Sequence, residues 1–195
     1  MNDHVALLTV EAIRPDRDLT DVPPATSSPE DLLPNQLIQS DDPRVKALAE
    51  SVEVDGDDQL ALAIALERMV HEAITQRNFT QAFASAATVA ETLEGDCTEH
   101  AVLLAAVARA RGIPARVAVG LVYVQSLQSF GYHMWTEVFV NRHWLPLDAT
   151  LGQGGIGAAH LKLADTNLAG QSAYLSLLPV AQVLGRLKIE LLEAE

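Results

Sequence analysis

One cysteine and six histidines are the side chains that stand out for chemistry in this 195-residue chain. Cys97 has no thiol partner, so an internal disulfide is impossible, and the residue is either a packed small hydrophobe or a nucleophile. Its neighbours favour the nucleophile. Asp96 stands at a helix-cap position with Glu99 three residues on, the arrangement of a capping box. Cys97 is then the first helical residue, where free amide N–H groups and the positive end of the helix dipole favour a thiolate. The same N–H groups can hold an oxyanion when a carbonyl is attacked. A cysteine kept for packing would sit further along, on the apolar face with Leu103, Leu104 and Val107. Asp96 and Glu99 oppose a thiolate, so a nearby imidazolium is required.

Among the histidines, His4 falls in the N-terminal tail, His71 in an early helix and His160 in a later strand. His100 lies one turn after Cys97 and is expected to face solvent or to support the helix end. His133 and Asp148 are singled out by hairpin geometry. With a two-residue turn at Asn141-Arg142, His133 falls opposite Thr150 and Asp148 opposite Trp135. His133 and Asp148 then share a face one diagonal step apart, within side-chain hydrogen-bond reach. The same register gathers Met134, Val138, Val140, Leu145, Leu147 and Ala149 on the other face, an apolar set suited to a core. A nucleophile, a base and a carboxylate that orients the base are the three parts of a thiol acyl-transfer site.

The elements that must carry these residues can be read along the chain. Pro23, Pro24, Pro29 and Pro34, set among acidic and small polar residues, predict an extended acidic tail or linker over 1–31. Asp42-Pro43 opens a helix to about Val52, and Asp57 or Asp58 a longer one to about Arg77. A third helix is expected over 85–93, and the helix begun by Cys97 stops at Gly112-Ile113-Pro114. Strands follow at about 116–124, 132–140 and 144–149. A glycine-rich turn at 152–157, a strand at 158–164, a helix at 171–184 and a strand at 186–192 complete the reading. Helices first and sheet afterwards predict an α+β domain over 32–195.

Apolar residues make up 49% of the chain and charged residues 20%, as in an ordinary globular protein. The net charge of −13 argues against nucleic acid or an anionic membrane as partner. The charge is uneven, because residues 1–58 hold 14 acidic and 4 basic side chains. Neither a signal peptide nor a membrane-spanning run is apparent, which makes a cytoplasmic location the default expectation. No cofactor and no metal are expected, since Cys97 and His100 fall short of a zinc ligand set.

Four segments together resemble the transglutaminase-like superfamily. They are Gly95-Asp96-Cys97-Thr98-Glu99-His100-Ala101, Arg111-Gly112-Ile113-Pro114-Ala115-Arg116, His133-Met134-Trp135-Thr136-Glu137-Val138 and Trp144-Leu145-Pro146-Leu147-Asp148-Ala149-Thr150. The resemblance implies a papain-like α+β core, with the cysteine at a helix N-terminus against an antiparallel sheet. It also implies that Cys97, His133 and Asp148 are the catalytic triad. Animal transglutaminases place a tryptophan upstream of the cysteine to help hold the oxyanion; here Trp135 and Trp144 both lie downstream, and Asn78 or Gln81 are candidate substitutes. Trp135 and Tyr132 are further candidates for contact with substrate. The expected substrate is a peptide or protein amide, attacked through an acyl-enzyme and released by water. The alternatives are an amine-accepting transglutaminase and a catalytically silent binding module.

Overall fold

Short polar residues start the helices. Asp42 accepts a hydrogen bond from Arg44 N and precedes Pro43, so α1 runs Pro43–Glu50. Asp58 accepts from Leu60 N and Ala61 N and begins α2, Gln59–Ala73. Ser85 caps α3, Ala86–Thr92, and Asp96 caps α4, Cys97–Ala110. In the computed structural model, residues 5–15, 19–76, 83–170, 178–183, 186–190 and 192 are described. Helix α4 is the centre of the domain: every residue from Thr98 to Arg109 is buried. It packs against α1, α2 and α3 on one side and against the sheet on the other.

The sheet consists of β1 (Ala115–Val124), β2 (Ser129–Val140), β3 (His143–Leu147) and β4 (His160–Thr166), in the order β3-β2-β1-β4 with antiparallel neighbours. The β2–β3 hairpin has the register expected from the sequence, with Thr136 opposite Leu147 and Val140 opposite His143. Asn141 and Arg142 both take positive φ, 52° and 67°, the backbone of the tight turn whose twist matches the flanking strands. Met134, Val138, Val140, Leu145 and Leu147 join the main core beneath α4, as their alternation predicts. The opposite face carries His133, Trp135 and Glu137. A short α5, Leu178–Val183, follows. Helices gathered on one face of an antiparallel sheet define an α+β fold.

Several boundaries differ from the sequence reading. Helix α2 ends at Ala73 rather than near Arg77, because Gln76 leaves it to form a bridge with Glu94. Strand β4 begins at His160. The strand expected at 186–192 is absent from its described part, where 186 is a turn and 187–190 are irregular. Of the helix expected at 171–184, residues 178–183 are helical and 171–177 lie outside the described residues. The tail also has more attachments than its composition suggests. Ala25 N donates to Arg142 O at 2.8 Å, His143 Nε2 to Val22 O at 3.0 Å and Trp144 Nε1 to Thr26 O at 3.2 Å. Proline removes a donor but keeps its carbonyl, so a Pro-rich segment can still accept bonds from the hairpin end beside it.

Candidate active site

Cys97 occupies the first position of α4 and is half-buried. Asp96 and Glu99 form the expected capping box: Asp96 Oδ1 accepts from Thr98 N at 2.9 Å and Glu99 Oε2 from Asp96 N at 3.0 Å. Because the Asp96 side chain takes the Thr98 and Glu99 amides, the Cys97 N–H is the helix-start donor that the cap does not use. Gly95 makes the box possible, since a Cβ there would stand 2.2 Å from the Glu99 Cβ. Glu99 Oε1 accepts from Ala84 N at 3.0 Å, and burial pushes its carboxyl above the usual range.

Strand β2 brings His133 to this helix start, and the segment after β3 brings Asp148. His133 Nε2 lies 2.7 Å from Asp148 Oδ2, and the Cys97 side chain is near enough to act on the same imidazole. Burial works to lower the His133 imidazole, but the bond to Asp148, the Cys97 side chain and the charges of both outweigh it and raise it to about 9. Burial likewise works to raise the Asp148 carboxyl, yet bonds from His133 and His160 and the nearby positive charge hold it well below the ordinary carboxylate range. The arrangement therefore favours an imidazolium between a carboxylate and a sulfur, which is the electrostatic state that activates a thiol.

Around this centre lie residues that no local sequence pattern signals. Thr150 donates to Asp148 Oδ1 from its N–H, at 3.0 Å, and from its hydroxyl. His160 Nε2 lies 3.0 Å from Asp148 Oδ2. Glu67, fully buried on α2, accepts from Asp148 N at 2.9 Å and from Gly154 N at 2.6 Å, so α2 fixes the backbone of the 148–154 loop. His71 Nδ1, one turn further on, donates to Ala149 O at 2.9 Å. Burial raises the Glu67 carboxyl to about 7. A buried glutamate in an otherwise amphipathic helix was the available signal, but its partner lies 81 residues away.

The remaining candidates divide. His100 is buried rather than solvent-facing, and its Nδ1 donates to Asp96 O at 2.6 Å, so it supports the helix start. Trp135 is only 2% exposed; its indole packs edge-on against His160 and stacks with His133, so its place is behind the histidines. Tyr132 lies near Cys97; burial, then the Cys97 charge, pushes its phenol upward. Asn78 and Gln81 lie outside the described residues. The ligand atoms of His133, Asp148 and His160 fall within 4.8 Å of one another, a spacing that a metal ion could also use. Their present geometry is one of mutual hydrogen bonds. No helix among the described residues is long and apolar enough to cross a membrane.

A central helix that begins at a cysteine, set against an antiparallel sheet that carries the histidine and is followed directly by the aspartate, defines a papain-like architecture. The transglutaminase-like superfamily profile matches residues 46–149, just over half of the chain, and the chain belongs to that superfamily. Among solved structures it is similar to a protein from Cytophaga hutchinsonii described as a candidate cysteine protease. That pair has 22% identity and a TM-score of 0.59, over 73% of this chain and 48% of the other. It is also similar to the periplasmic domain of TgpA from Pseudomonas aeruginosa, with 25% identity and a TM-score of 0.47 over 63% of this chain and 46% of that one. Legionella pneumophila LapG gives 15% identity and a TM-score of 0.42 over 80% of this chain and all of its own. The Cytophaga structure supports the fold, and this chain spans just under half of its length. No curated protein matches the chain in sequence to a significant degree.

Proposed function

We propose that the chain is a thiol-dependent acyl-transfer enzyme that opens a peptide or amide bond through an acyl-enzyme, with water as the usual acceptor. The observation that carries this reading is the His133–Asp148 hydrogen bond at 2.7 Å beside the start of α4, with Cys97 among the groups that act on the same imidazole. Cys97 Sγ attacks the amide carbonyl carbon while His133 holds the thiol proton. The carbonyl oxygen becomes an oxyanion, for which the Cys97 N–H is the first donor. His133 then passes its proton to the leaving nitrogen, the C–N bond breaks and a thioester remains on Cys97. In the second half His133 takes a proton from water, whose oxygen attacks the thioester and frees the acid and the thiol. Asp148 keeps the ring in the tautomer and direction that both halves need.

Membership of the transglutaminase-like superfamily supports thiol acyl transfer in general. The acceptor is decided by experiment. Incubation with a glutamine-containing peptide and a labelled primary amine, followed by mass spectrometry, should give free acid and little amine adduct. Dominant amine incorporation would reassign the enzyme as a transferase. A protein that neither turns over peptide amides nor reacts faster than a free thiol with iodoacetamide would refute the catalytic reading.

A further inference from the structure

The Asp148 carboxylate is met by two imidazoles on one oxygen, His133 at 2.7 Å and His160 at 3.0 Å. What separates them is the second nitrogen of each ring. The His133 ring is acted on by Cys97 as well as by Asp148, whereas His160 Nδ1 is fully buried with no hydrogen-bond partner among the described residues. An ionised carboxylate only accepts, so the His160 proton must be on Nε2. A second proton on Nδ1 would be buried without an acceptor, which is costly. His160 can thus donate to Asp148 but has no outlet for proton exchange, while His133 has both. Nor is the ring free to turn: Trp135 meets it edge-on at a centroid distance of 5.3 Å, and His133 lies at 5.5 Å on another side.

Strand pairing explains how this residue arrives. Gly120 of β1 lies opposite His133 on β2 and opposite Lys162 on β4, which sets His160 one step along the same sheet face. Among the described residues, Asp148 and His133 are titratable groups against His160, and β1 places Val122 opposite it with Gly120 beside it. Lys162, the next residue on that face, is bonded to Glu137.

We propose that His160 is a positioning residue for the reaction. In its neutral Nε2–H form it is a permanent donor that, with Thr150 on the other oxygen, fixes the Asp148 carboxylate while His133 exchanges its proton with Cys97. The inference rests on the roles assigned above to Cys97, His133 and Asp148.

Histidine-selective ¹⁵N NMR of the wild-type protein reads the tautomer without any substitution. At neutral pH His160, assigned by the loss of its signals in His160→Gln, should show a protonated Nε2 and a bare Nδ1. A doubly protonated ring or the Nδ1–H form overturns the proposal. Iodoacetamide alkylation of Cys97 against pH then reads the role. His160→Phe keeps a ring but loses the donor; alkylation near pH 7 should fall about tenfold, the size one hydrogen bond to a charged group supplies, and the profile should move to higher pH. His160→Gln, which can present an N–H to the same oxygen, should restore most of the rate. If Asp148→Asn changes the profile and His160→Phe does not, the His160 role alone fails. If Asp148→Asn leaves the profile unchanged, the triad reading fails and takes this inference with it.

Discussion

At the scale of single residues, Cys97 is half-buried and only borders the core, so its proposed chemistry can be tested apart from packing. Cys97→Ala should remove alkylation and turnover and leave the unfolding midpoint nearly unchanged, because no closed cavity results. A packed thiol would instead cost on the order of 1–2 kcal/mol, which urea denaturation detects. In the proposed mechanism His133 both takes and gives the proton, so His133→Ala should lower turnover roughly 10³-fold. Asp148→Asn should cost less, since an asparagine can still accept a hydrogen bond. His100→Ala should leave most of the rate, because the His100 proton is committed to the Asp96 carbonyl. The pH behaviour has a definite sign. His133 stands at about 9, above its ordinary value, so the imidazolium persists through neutral pH and is lost as pH rises through that point. Its titration, followed by NMR, should move to lower pH in Asp148→Asn, which weakens the largest of the raising interactions. A value unchanged from wild type would show that Asp148 does not act on this ring.

Between elements, the decisive position is Gly120, in the middle of a strand otherwise rich in valine. A Cβ there would stand 2.1 Å from Leu161 O and 3.0 Å from the Trp135 ring, so only glycine lets β4 and the indole approach together. The β1–β4 register shifts at this point, between Val119 and Gly120. Gly120→Ala should therefore destabilise the fold by about 1–3 kcal/mol and slow Cys97 alkylation by displacing the strand that bears His160. Gly131→Ala is the control, because a Cβ at Gly131 meets nothing within 4 Å. Equal effects of the two changes, in melting and alkylation, would refute the argument. The same contrast explains what could be read beforehand. The start of α4 and the β2–β3 register are local, set by a capping pair and by alternation about a two-residue turn, so Cys97, His133 and Asp148 could be gathered from sequence. His160 could not, because its side depends on a pairing with β1 that carries an irregularity. Glu67 depends on how a helix docks against a distant loop. The attachments of the tail are not legible in its composition, because proline content signals lost donors and says nothing of the carbonyls that remain.

For the molecule as a whole, the helical layer and the sheet are joined at the candidate site itself. Glu67 reaches from α2 to the Asp148 and Gly154 amides, and His71 reaches from the same helix to the Ala149 carbonyl. Arg109, near the far end of α4, ties Leu33, Ala115 and Asn167 by their carbonyls, so the opposite end of the domain is held by another buried charged side chain. The site is thus sensitive to how the layers pack, and Glu67 makes that packing depend on pH. Burial comes first in raising its carboxyl from about 4.5 to about 7; the backbone bonds oppose the rise and the Asp148 charge adds to it. A group whose folded value is raised stabilises the fold fully below its unfolded value and loses that contribution as pH rises through the folded one. The Glu67 share should therefore be present near pH 4.5 and gone by about pH 8, a swing on the order of 2–3 kcal/mol. Glu67→Gln cannot titrate and offers one acceptor where the carboxylate offers two. Its stability should vary less between pH 4.5 and 8 than that of the wild type. Urea denaturation of both proteins across that range measures the difference of slopes. Parallel curves would mean that Glu67 keeps one protonation state throughout, and that its hold on the Asp148 loop is independent of pH.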